Sequence, residues 1–248
     1  MANWNDPQPR QTGFGASPSL NGEAIGKVGT YDQGLRKHML AIYNYMASGV
    51  LLSGIVAMLF ANSGYAAVVM ATPLRWLIML APLGFVMAMS FGLNRMQTST
   101  LQALFWAFCV VMGLSMSTIF LVFTGTSIAT TFLATAGAFA GLSLVGYTTK
   151  RDLSAMGAFM TMGLIGIIIA MVVNIFVGSS ALSMAISVLG VLIFAGLTAW
   201  DTQRLKQEYY VLAGTEFAGK AVVLGALSLY LDFINMFQFL LSFMGNRN

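Results

Sequence analysis

Eight residues of this chain are Asp or Glu, and seven of them lie in polar stretches or at their edges. The eighth, Asp232, lies within Gly225-Ala-Leu-Ser-Leu-Tyr-Leu-Asp-Phe-Ile-Asn-Met-Phe-Gln-Phe-Leu-Leu, which is otherwise largely apolar. A carboxylate at the centre of a membrane helix costs about 2.5–3.5 kcal/mol. Such a residue is expected to face a partner or water, and its default reading is functional. At ~100° per residue, Ser228, Asp232, Asn235, Gln238 and Ser242 fall within an arc of about 120°. This helix carries one polar stripe, and the stripe is expected to face inward.

A second acid has a similar setting. Ser183, Ser187, Gly190, Thr198 and Asp201 fall within about 80° by the same arithmetic. Asp201 stands at the end of that stripe, in Ala199-Trp-Asp-Thr-Gln-Arg-Leu-Lys. Alone, Asp201 reads more readily as an interfacial helix-end charge. Together, the two stripes could line one cavity, with Asp201 and Asp232 converging. Two carboxylates in a dry site do not both ionise readily, so the pair is expected to share a proton and sense pH. Carboxylate oxygens also suit Ca²⁺, which makes Asp201 and Asp232 a candidate Ca²⁺ site. Counted from one membrane face, Asp201 lies ~18 residues along its helix and Asp232 ~12 along its own, an offset of about 9 Å. Tilt or a shifted helix boundary has to close it.

Other chemistries fit less well. An intramembrane aspartyl protease would carry Gly-x-Gly-Asp, whereas Asp232 follows Leu229-Tyr-Leu. A retinal protein needs a Schiff-base Lys, and the last apolar segment has none. Cys109 is the single cysteine, reads as a small buried residue, and cannot form an intrachain disulfide. His38, beside Arg36 and Lys37, reads as interfacial, and the 18 Met residues as bundle filler. No sequence feature asks for a tightly bound cofactor. The bland alternative is a polar stripe that only fixes helix packing.

The elements that position these residues follow from composition. Only 8% of residues are charged, against roughly 25% in a soluble domain. The surface left uncovered by charge must face lipid. Residues 39–244 are mostly apolar stretches about 20 residues long, enough for a helix to cross the ~30 Å hydrocarbon layer. Period-two alternation is absent, which disfavours a β-barrel. The expected fold is all-α, a polytopic membrane protein with a seven-transmembrane-helix bundle. The predicted spans are Met39–Ala61, Leu74–Leu93, Leu101–Phe123, Ser127–Tyr147, Ser154–Val177, Ala181–Trp200 and Ala221–Met244. Short connections favour antiparallel neighbours, with 124–126 and 178–180 little more than turns. Gly137 and Gly141 sit four apart, a spacing that permits close helix approach and carries no functional weight.

Residues 1–30 are polar and read as a flexible tail, leaving 31–248 as the transmembrane domain. The tail lacks the basic start and apolar core of a cleavable signal peptide. Ten of the 12 Lys and Arg lie on the side of the tail and the loops after spans two, four and six; Arg75 and Arg247 lie opposite. Basic loops stay in the cytoplasm, which places the N-terminus inside. Seven spans then put the C-terminus outside; one re-entrant span would reverse that. The scattered basic residues form no nucleic-acid patch.

The stretches Asp201-Thr-Gln-Arg-Leu-Lys and Ala226-Leu-Ser-Leu-Tyr-Leu-Asp-Phe-Ile-Asn resemble the signature of the Bax inhibitor-1 family, whose bacterial branch is called YccA-like. Lys150-Arg-Asp-Leu-Ser and Val173-Asn-Ile-Phe match the same family around span five. The similarity covers roughly residues 30–246. It implies a seven-helix bundle with the last helix central, in a bacterial inner membrane. It implies a pH-sensitive calcium leak gated by two aspartates that match Asp201 and Asp232. Ser228, Asn235 and Gln238 are then supporting polar contacts, and Arg95 occupies the place of a basic residue that reaches the site in some members. Some members carry a Glu in span two on the calcium route, whereas Ala81-Pro-Leu-Gly-Phe-Val has no acid. Bacterial relatives are also associated with a membrane-bound AAA protease. The alternative reading is therefore a non-conducting regulator that binds such a protease or another membrane partner. Monomer is the favoured state.

Overall fold

The computed structural model describes residues 22–92 and 95–248, with side chains from residue 33 onward except Met70. Eight helices run in chain order: α1 (Gly22–Asn62), α2 (Tyr65–Met70), α3 (Leu74–Gly92), α4 (Thr98–Val122), α5 (Gly125–Thr148), α6 (Ser154–Val177), α7 (Ser180–Leu212) and α8 (Ala218–Met244). Seven of them are long and apolar enough to span a bilayer; α2 is a six-residue turn between the first two spans. The protein is an all-α polytopic membrane protein.

The arrangement is a core helix with a partial ring. In α8, 61% of the most apolar window is buried, against 6% in both α3 and α6, so α8 is the central helix. It packs against α1, α4, α5 and α7. Among the described residues, α3 leans on α4 and the short α2, and α6 leans on α7 alone. These two outer helices expose most of their surface, as lipid-facing helices do. The core between α1, α4 and α8 is aromatic. Tyr230 is fully buried, with Phe105 and Phe108 edge-on to its ring. Its hydroxyl lies 2.6 Å from that of Ser53, which donates to the Cys109 carbonyl. This bond satisfies the phenol in a dry interior, where an unpaired hydroxyl is costly, and it fixes the rotation of α8.

Two boundaries differ from expectation. Helix α1 takes in residues 22–30, which the sequence pattern assigned to the tail; residues 1–21 of that tail lie outside the described residues. Buried Leu35 lies one turn before buried Met39 and extends the apolar face towards the N-terminus. Helix α7 runs 12 residues past Trp200. Buried Leu205 continues its inward face, and the chain turns only at Gly214, whose φ of 81° suits glycine. Gly137 and Gly141 mediate no close approach: nothing lies within 4 Å of where their Cβ atoms would be.

Candidate functional site

The register of α7 against α8 decides whether the two aspartates meet. A Cβ on Gly190 would stand 2.5 Å from the Phe239 ring, and one on Gly225 would stand 2.7 Å from Leu205. Between those close approaches, the Ser228 hydroxyl donates to Asp201 Oδ2. The pairs 190/239, 201/228 and 205/225 keep one antiparallel register. Asp232 therefore lies one turn, about 6 Å, deeper than Ser228. The expected depth gap shrinks because helix ends are poor markers of height. Asp201 lies in the interior of a continuous α7, not at its end. The Asp201 and Asp232 carboxyls lie close enough to interact electrostatically, and each residue is 5% exposed.

Arg204 completes the cluster. Its Nη2 lies 3.1 Å from Asp201 Oδ1 as an ion pair and donates to the Ser228 hydroxyl at 3.1 Å. Its Nε is 3.7 Å from Glu208 Oε1, and the guanidinium sits 5.0 Å over the Trp200 ring. Asp232 Oδ2 is buried without a hydrogen-bond partner. The site thus holds two carboxyls and one guanidinium. With one proton on the pair, a single carboxylate would stand against one cation.

Two cavities meet at this cluster. One, of about 500 Å³, opens between α3, α7 and α8 on the basic side, where Arg204, Glu208 and Lys220 line it. The other, of about 350 Å³, runs deeper between α6, α7 and α8 and is lined by Asp232 and Asn235. Ser228 and Leu231 line both, so they form the partition. At the outer end of the deep cavity, Phe194 and Phe239 stack at 5.9 Å.

The residues singled out in the sequence divide accordingly. Ser228, Asp201 and Asp232 come together. Asn235 reaches the deep cavity and donates to the Leu231 carbonyl. Gln238 is half-buried and does not line that cavity, while Ser242 is exposed. Arg95 is exposed on the α3–α4 connection and makes no contact with the aspartates among the described residues. Arg204 supplies the cation instead. Its signal was the Asp201-x-x-Arg204 spacing, which puts both on one helical face. That signal is visible only if α7 continues beyond Trp200. Among the described residues, no group of three or more His, Cys, Asp or Glu is placed to hold a metal ion.

The neighbouring motif residues hold the frame. Gln203 accepts from the Leu153 amide at 2.8 Å and donates to the Arg151 carbonyl at 2.8 Å, clamping the α5–α6 connection to α7. In that connection, Asp152 accepts from the Ser154 amide and hydroxyl. Those bonds hold its carboxyl below the usual value. Asn174 accepts from the Ser179 amide and donates to Ser183, closing the α6–α7 turn. A Cβ on Gly157 would stand 2.3 Å from the Trp200 ring, so only glycine seats that indole beside Arg204.

An uncharacterized protein of Rickettsia prowazekii is 46% identical over 219 residues, 88% of this chain and 93% of that one. Inner membrane protein YbhL of Escherichia coli is 43% identical over 218 residues, covering 86% and 93%. An uncharacterized membrane protein of Streptococcus pyogenes is 35% identical over 221 residues, covering 88% and 96%. Residues 35–248 match the family described as Inhibitor of apoptosis-promoting Bax1, and the chain belongs to this Bax inhibitor-1 family of membrane proteins.

Proposed function

We propose that the protein is a pH-sensitive cation leak, chiefly for Ca²⁺, in a bacterial inner membrane, with its N-terminus cytoplasmic. The observation that carries this reading is a pair of buried carboxyls beside one partly exposed guanidinium, at the partition between two cavities. Asp201 holds Arg204 and Ser228 together across α7 and α8. Acid that protonates Asp201 removes the charge that holds Arg204, and the partition loosens. Base that removes the shared proton leaves net negative charge in a low-dielectric site, which attracts a cation. Ca²⁺ is the transported ion on this reading. It prefers six to eight oxygen ligands, and the cluster offers fewer, so passage suits it better than residence. Ca²⁺ flux into proteoliposomes should rise as pH falls, and Asp201→Asn should raise flux at neutral pH and flatten its pH dependence. Flux equal to that of empty liposomes at every pH would remove the proposal.

One observation favours a second reading. The basic-side cavity carries Arg204 and Lys220 against Glu208, and α3 contributes Val86 and Ser90 with no carboxylate. That lining does not draw cations in. A non-conducting regulator bound to a membrane partner, such as an AAA protease, would have this mouth. Co-purification from native membranes, with and without residues 1–21, tests it; recovery of no partner from either preparation counts against it.

A further inference from the structure

Among the described residues the ring around α8 is open in two places: between α4 and α7, on the side of the cavity beside Arg204, and between α1 and α5. Both α1 and α5 pack against α8. Two apolar cavities fill the α1–α5 gap, one above the other. The one nearer the basic side measures about 650 Å³ and the other about 580 Å³. Phe233 of α8 lines both. The first runs from Arg36 to Ala47 along α1 and from Tyr147 to Ala136 along α5. Each of those stretches rises about 16 Å, half of the ~30 Å hydrocarbon layer. This cavity therefore has the depth of one leaflet.

Its two ends differ in chemistry. Arg36 stands at the basic-side mouth and has no ion-pair or hydrogen-bond partner among the described residues. It also borders a shallow polar hollow on α1 with Gln33, Lys37 and Asn44. Across the mouth, Tyr147 carries Lys206 5.1 Å over its ring. Among the described residues, no acid lines either apolar cavity, and the deeper one has no cation. A second copy of this chain offering the same acid-free surface would bury Arg36 without a counter-charge.

We propose that the α1–α5 crevice binds an anionic phospholipid of the basic-side leaflet, with its phosphate at Arg36 and one acyl chain lying along Ala140 to Phe233. Basic pockets between membrane helices favour anionic headgroups, at roughly fivefold in affinity for each Arg or Lys engaged. The chain would rest on Phe233, the residue after Asp232.

The test is native mass spectrometry of delipidated protein titrated with phosphatidylglycerol or phosphatidylcholine of equal chain length. Wild type should bind phosphatidylglycerol about fivefold more tightly. Arg36→Ala, at an exposed position, should erase the preference, and Arg36→Lys should keep most of it. Ala140→Phe should weaken both lipids by filling the crevice, and Leu144→Trp is the second crevice-filling variant. Glycerol phosphate should not displace the lipid. Equal binding of both lipids, a preference that survives Arg36→Ala, displacement by glycerol phosphate, or dimers in place of lipid adducts would each overturn the proposal.

Discussion

Replacing Asp232 with Asn should stabilise the protein. Asp232 is 5% exposed, and its Oδ2 has no hydrogen-bond partner. Removing an ionisable carboxyl from this buried pair recovers roughly 1–3 kcal/mol, while an amide N–H facing Asp201 takes the place of the shared proton. Against this stands the lost attraction of Arg204. Its side chain is 37% exposed, and an attraction screened to that extent amounts to about 1 kcal/mol or less. The balance is a gain of about 1–2 kcal/mol. For a chain of this size each kcal/mol moves the midpoint by roughly 2–4 °C. Thermal unfolding in mild detergent, followed by circular dichroism, should therefore show a midpoint several degrees higher. An unchanged or lower midpoint would refute the reasoning. It would mean that Asp232 has a partner that the neutral amide loses.

Arg204→Gln should act in the opposite direction. It leaves two carboxyls facing each other without a cation and should cost about 1–2 kcal/mol, discounted for the partial exposure of Arg204. Adding Asp201→Asn should restore most of that loss in the double variant, whereas additive losses would show that the pair is not coupled. Gly157→Val forces the Trp200 indole aside and should cost about 1–3 kcal/mol by overpacking; an unchanged melting midpoint would contradict the seating of Trp200. The depressed Asp152 carboxyl stabilises the α6 start at neutral pH. A depressed folded value means that this contribution is complete above the ordinary value of 3.8 and fades as pH falls below it. Hydrogen exchange at the Ser154 amide should speed up in Asp152→Ala at neutral pH, and equal rates would remove this role for Asp152.

Much of this architecture is legible in the sequence. The spans follow from apolar stretches that match the bilayer, and the structure has seven such helices. The α8 stripe points inward at Ser228, Asp232 and Asn235 because those turns face α6 and α7. It fails at Gln238 and Ser242, where the Phe239–Gly190 approach, not a polar cavity, sets the contact. Arg204 escaped notice for a physical reason. Hydropathy falls after Trp200, yet helical hydrogen bonding and the inward Leu205 carry α7 to Leu212. Hydropathy marks where lipid ends and not where a helix ends. Arg95 illustrates the reverse case: the family resemblance implied a place at the site, whereas here α3 packs on α4 and not on α7. The α1–α5 gap leaves no trace in either helix alone, because it arises from which neighbours α8 separates.

The central claim is that Asp201 and Asp232 hold one proton as a unit. Infrared difference spectroscopy of the reconstituted protein through a pH titration tests it most directly. The account predicts a protonated-carboxyl band near neutral pH that disappears in both Asp201→Asn and Asp232→Asn. A band absent from the wild type, or one that persists in both variants, would contradict it.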